Sequence, residues 1–69
     1  MYSITAKKTG EFEIYNGGRK KVVFKGSDSM IKSKAGAPHE FKKLDDLLST
    51  VVGWVSLATF KKITKMLRP

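Results

Sequence analysis

Residues 41–67, FKKLDDLLSTVVGWVSLATFKKITKML, hold more than half of the large apolar side chains in this 69-residue chain, so the rest must fold onto them. Leu44, Leu47, Leu48, Val51, Val55 and Ala58 follow steps of three and four and fall in one stripe on a helix. Continued at the same pitch, that stripe runs into Lys62 and Lys65. A second stripe, Leu57, Phe60, Ile63 and Leu67, lies on a different side of the cylinder. One straight helix would have to bury two unrelated faces. Gly53 sits where the phase changes, and glycine destabilises a helix interior by about 1 kcal/mol relative to alanine. It reads as a C-cap or kink, which predicts two helices, over 43–52 and from 54 or 56 to 67. Asp45 and Asp46 in the first turn of one, and Lys65 with Arg68 in the last turn of the other, suit the helix dipole. Lys61, Lys62, Lys65 and Arg68 share the face opposite Phe60 and Leu67, making the second helix apolar on one side and cationic on the other.

Upstream, Tyr2, Ile4 and Ala6 alternate with polar residues, as do Phe12 and Ile14, which is the period of a half-buried strand. Asn16, Gly17 and Gly18 form the strongest turn signal, and a third strand is expected over 19–25. A three-residue loop with Gly18 in the left-handed region would pair Tyr15 with Arg19, Glu13 with Lys21, Phe12 with Val22 and Glu11 with Val23. That register gathers Phe12, Val22 and Phe24 on a face for the helices to cover. The other face then carries Ser3, Thr5, Lys7, Glu11, Glu13, Tyr15, Arg19, Lys21, Val23 and Lys25, cationic at the hairpin end with an aromatic among the charges. Such a face suits a phosphate backbone or a stacked base. It is equally the pattern of a solvated sheet face, with Glu11 and Glu13 paired to Lys21 and Lys25. Residues 26–38 read as a loop in which Met30 and Ile31 form a short strand or plug the core; residues 39–41 are open between an edge strand and a first helical turn. The expected fold is therefore α+β, one domain over 1–69: a three-stranded antiparallel meander with two C-terminal helices on one face.

Fourteen Lys and Arg against six Asp and Glu leave a net charge of +8. Such a field attracts polyanions, nucleic acid before acidic proteins and anionic membranes. Only Arg19 and Arg68 are arginine. Lysine serves phosphate as a point charge, whereas bidentate reading of guanine is mainly arginine's, so contacts to backbone are expected over contacts to sequence. The competing reading is that the charge only keeps a small domain soluble. With no cysteine there is no disulfide framework and no cysteine-based zinc site, which suits the cytoplasm. The first residues lack the apolar core of a signal peptide, and the uncharged run 47–60 falls short of a membrane span of about 20 residues.

Little in the chain promises chemistry. His39 is the only histidine, with Glu40 and Asp28 as conceivable orienting groups, and no nucleophile motif accompanies it. Asp45 and Asp46 are adjacent and diverge by about 100° on a helix, so they do not converge on a metal. A small basic ribonuclease would have to run on Tyr15, Arg19, Lys21 and His39. No cofactor or metal motif is visible. Trp54, beside the break between helices, reads either as the lid of the core or as an exposed interface anchor, with self-association through it or the second helix left open.

In the order of its elements, strands and then helix, the chain resembles in outline the sheet-reading amino-terminal DNA-binding modules of phage-type integrases, and in size and charge it is similar to phage or plasmid accessory proteins. The resemblance implies DNA binding more than RNA binding. The expectation is a non-enzymatic nucleic-acid-binding module using Tyr15, Arg19, Lys20, Lys21 and Lys25 at the hairpin end, with the helix face Lys61, Lys62, Lys65 and Arg68. The alternative is an interaction or inhibitor protein that grips an acidic partner.

Overall fold

The alternating segments become strands β1 (Tyr2–Ala6), β2 (Glu11–Asn16) and β3 (Lys21–Ser27), followed by β4 (His39–Phe41) and helices α1 (Leu44–Val51) and α2 (Leu57–Leu67). This is seen in a computed structural model that describes residues 1–17 and 21–68. The class is α+β as expected, with one strand more than the meander: β4 adds antiparallel to β1, and the order across the sheet is β3-β2-β1-β4. Residues 39–41 thus resolve to strand, where Phe41 and His39 pair with Tyr2 and Ile4. Gly18, with its expected left-handed conformation, and Arg19 and Lys20 lie outside the described residues.

Ile4, Phe12 and Ile14 from the sheet meet Leu47 and Val51 of α1, Val55 of the connection and Ile63 of α2 in one buried cluster. Each such side chain contributes roughly 1.5–3 kcal/mol by leaving water. Ile31 completes it from a 3₁₀ turn over Ser29–Lys34 and is fully buried, so the polar segment 26–38 plugs the core through Ile31 alone of the expected pair, Met30 being 54% exposed. Both apolar helical stripes are shorter than their spacing suggests. Ala58 is exposed and Leu57 is 65% exposed, because α2 starts afresh at Ser56 and only Phe60, Ile63 and Leu67 turn inward.

Two expectations need correction. The β2–β3 register pairs Glu13 with Lys25 and Tyr15 with Val22, not with Lys21 and Arg19. A bulge between Ile14 and Tyr15 inserts Val23 into β3, and one extra residue reverses which side chains face the core. Val23 consequently packs on the core, while Val22 is 41% exposed. Gly53 lies in the break between the helices but is no left-handed cap: among the described glycines only Gly10, Gly17 and Gly36 have positive φ. The chain leaves α1 through a tightened turn, with Gly53 N–H donating to Thr50 O at 3.2 Å and Trp54 N–H to Val51 O at 2.8 Å.

Gly10 is where the backbone is most constrained. Its φ is +96°, and a Cβ there would lie 2.9 Å from the Asp28 carbonyl oxygen, which as main chain cannot swing aside. Gly17 has φ +83° and open space around it. Gly17→Ala should therefore cost about 1–2 kcal/mol, the left-handed penalty alone, and Gly10→Ala at least about 1 kcal/mol more from overpacking. Urea unfolding of the two variants beside the wild type measures the difference, and equal losses would contradict this account of Gly10.

Candidate nucleic-acid interface

The outer face of the sheet, away from the helices, is set by the register. Val22, Tyr15, Ser3 and Glu40 form one row across the strands, and Lys25, Glu13 and Thr5 the next. Three of the chain's six acidic residues, Glu11, Glu13 and Glu40, therefore stand on this face. The Tyr15 hydroxyl donates to Glu13 Oε1 at 2.5 Å, and Lys25 Nζ lies 3.5 Å from Glu13 Oε2. That hydroxyl, with Lys25 beside it, holds the Glu13 carboxyl below its ordinary range despite some desolvation. A shallow depression of about 420 Å3 here has Lys7 and Lys25 in its lining, matched by Glu11 and Glu13. Two cations against two carboxylates make it a poor seat for a polyanion. Lys21 pairs with Asn16, which shares the face of Ile14, so the bulge takes it off the outer face as well.

A second group of lysines gathers at the β3 edge. A groove of about 520 Å3 between β3 and α2 is lined by Phe24, Lys25, Lys62, Lys65 and Met66, three lysines and no carboxylate. Lys62 and Lys65 are a helical turn apart, about 5–6 Å between Cβ atoms. The floor is the Phe24 ring, which also stacks on Phe12 with centroids 5.7 Å apart, together with the thioether of Met66. Lys65 is in the last turn of α2, where the carbonyl end of the helix favours a cation.

Asp28 places α2 against β3. It follows the last residue of β3, caps the 3₁₀ turn by accepting from Met30 N–H at 2.9 Å, and accepts from Ser56 N–H at 2.9 Å and Ser56 Oγ at 2.8 Å. Ser56 is itself the N-cap of α2, accepting from Thr59 N–H. The start of α2 is thus tied to the end of β3, and the helix runs back along the strand until Lys62, Lys65 and Met66 stand beside Phe24 and Lys25. Four donors, the Thr59 side chain first, then the Ser56 and Met30 N–H groups and the Ser56 hydroxyl, hold the Asp28 carboxyl well below the usual carboxylate range.

The other sequence candidates scatter. Lys61 is exposed on α2 outside the groove lining, and Arg68 pairs with Asp45 across the ends of the two helices. Trp54 is half-buried and packed on the core; His39 meets its ring edge-on at 4.8 Å, and Lys34 Nζ sits 5.1 Å from its centroid. The Trp54 ring is thus held by its own chain, close to the lid reading. Tyr15, Lys21 and His39 are not brought together: Tyr15 is on the outer face, while Lys21 and His39 stand on β3 and β4 at opposite sheet edges, three strand spacings or about 14 Å apart. Asp28 and Glu40 do not orient His39 either, since Asp28 caps the 3₁₀ turn and binds Ser56 while Glu40 faces the other way. Among the described residues no group of three or more metal-ligating side chains converges, and no helix is long and apolar enough to cross a membrane. Spacing marks Phe24 and Met66 only as one apolar strand position and one exposed helix position, so the sequence carries no signal for either as a site residue. Compared with protein-family models, curated proteins and solved structures, the chain matches none.

The Asp28 tie makes a pH-dependent prediction. A carboxyl with a depressed folded-state pKa contributes stability that is full above its unfolded value, about 3.9, and is lost as pH falls toward the folded value. Asp28→Asn, which resembles the protonated acid, should cost about 1–2 kcal/mol at neutral pH, as removal of a cap does. Its deficit relative to wild type should shrink when both are unfolded by urea at about pH 2.5. A deficit independent of pH would show that the charge of Asp28 contributes nothing.

Proposed function

We propose that this chain is a small, non-enzymatic nucleic-acid-binding module acting in the cytoplasm, DNA before RNA, that holds phosphates with lysines along the β3–α2 groove. One observation carries the reading: Lys62 and Lys65 join Lys25 in a single groove that has no carboxylate in its lining, whereas the outer-face depression sets two lysines against two glutamates, one of which, Glu13, also pairs with Lys25. Lysine ammoniums attract phosphate without reading bases, so affinity should depend on charge more than on sequence. Lys21, at the start of β3 toward which α2 runs, extends the same edge.

A second reading keeps the groove and changes the occupant. β3 is an edge strand of seven residues, so main-chain hydrogen-bonding groups are available to an acidic segment of a partner protein laid beside it. Against this, Lys21, Lys25 and the bulge are the devices by which edge strands discourage further pairing.

Salt and charge reversal test the first reading. The logarithm of the binding constant for DNA should fall linearly with the logarithm of salt concentration, with a slope of about 0.7 to 0.9 per phosphate neutralised. The double variant Lys62→Glu, Lys65→Glu should lower that slope by about two and weaken binding at low salt by more than tenfold, with far-UV circular dichroism unchanged because both side chains are exposed. Equal binding by the variant would remove the groove from the interface.

A further inference from the structure

Resting on the reading above, we infer that the β3–α2 groove is built for a single strand and seats one unstacked base on Phe24 and Met66 while the three lysines hold the flanking phosphates. Phosphate contacts alone need only a cationic ridge, yet this groove is lined by the apolar side chains of Phe24 and Met66 as well as by lysines. Phe24 is fixed in position by its stack on Phe12, and Met66, 62% exposed, offers a polarisable thioether that favours contact with a ring. A volume of about 520 Å3 has room for a nucleobase with its sugar. The faces of bases in a duplex are stacked on one another, so a duplex presents this floor with only sugar and phosphate. A single strand can turn a base out onto an aromatic side chain, and every base has a face to offer, which makes such a seat tolerant of sequence. Lys62 and Lys65, one turn apart above the floor, are spaced to meet neighbouring phosphates on either side of that base. Lys25 stands at the opposite wall, and its contact to Glu13, 3.5 Å with a side chain 73% exposed, is weak enough to yield to a phosphate.

Fluorescence anisotropy at one salt concentration separates the base seat from the charge. The probes are a short labelled oligothymidylate, a hairpin duplex with the same number of phosphates, and inorganic polyphosphate of that length as competitor. The strand should bind about tenfold more tightly than the duplex, the worth of one stacked base. Phe24→Leu should weaken the strand by about the same factor and leave the inhibition constant of polyphosphate unchanged. Met66→Ala should act in the same direction to a smaller extent, and because Met66 is exposed it carries the test if Phe24→Leu, which loses the stack on Phe12, does not fold. Equal binding of strand and duplex, or strand binding untouched by both substitutions while Lys62→Glu, Lys65→Glu abolishes it, overturns the base seat and leaves the lysine reading standing. Binding of none of the three polyanions overturns both.

Discussion

A single carboxylate decides where the second helix lies. Asp28 closes β3, starts the 3₁₀ turn that carries Ile31 into the core, and accepts two hydrogen bonds from Ser56 at the start of α2. Hydrogen bonds to a charged acceptor are about twice as strong as neutral ones. The contact joins residues 28 apart in sequence, so it fixes tertiary geometry that no local preference could fix. With the helix start pinned there and Ile63 buried beneath it, one side of α2 must face the β3 edge, and the lysines on that side meet Lys25 there.

The distribution of charge follows from this placement and from the bulge in β3. A net charge of +8 on 69 residues could have coated the whole surface. Instead the sheet register sets Glu11, Glu13 and Glu40 on the outer face and moves Lys21 off it, while Asp45 takes up Arg68. Where strand edge and helix meet, Lys62 and Lys65 join Lys25 in a lining without carboxylates, while other lysines, among them Lys8, Lys32, Lys42 and Lys43, stand exposed elsewhere. Three lysines beside apolar side chains, in a setting of lower dielectric constant than water, attract an anion more strongly than the same charges spread evenly.

Economy of apolar material shapes the rest. A chain this short buries only a little over half of its extended surface, and the core is completed by a segment of polar composition, through Ile31, and by Trp54 lying half-buried against His39 and Lys34. Gly10 allows that segment to approach closely, with Asp28 N–H donating to Gly10 O at 2.9 Å. Gly26 similarly leaves room for both Phe12 and Phe24, whose rings would stand 2.9 and 2.8 Å from a Cβ at that position. The aromatic pair that floors the groove thus depends on a missing side chain opposite Phe12.

Periodicity alone was enough to read three strands, two helices, the break near Gly53 and the burial of Leu47, Leu48, Val51 and Ile63, because alternation and 3.6-residue spacing are local properties of the chain. Composition was enough to expect a polyanion as partner, because charge is a sum. The pairing of β2 with β3 was not legible, since a one-residue bulge leaves the apolar pattern acceptable in two registers and only packing against the helices chooses between them. Nor was β4, whose three residues form a strand only because β1 has an edge to pair with. The groove belongs to the tertiary structure entirely: Phe24 and Lys25 come within reach of Lys62, Lys65 and Met66 through the Asp28 tie, and a contact between residues some forty positions apart leaves no periodic trace in the sequence.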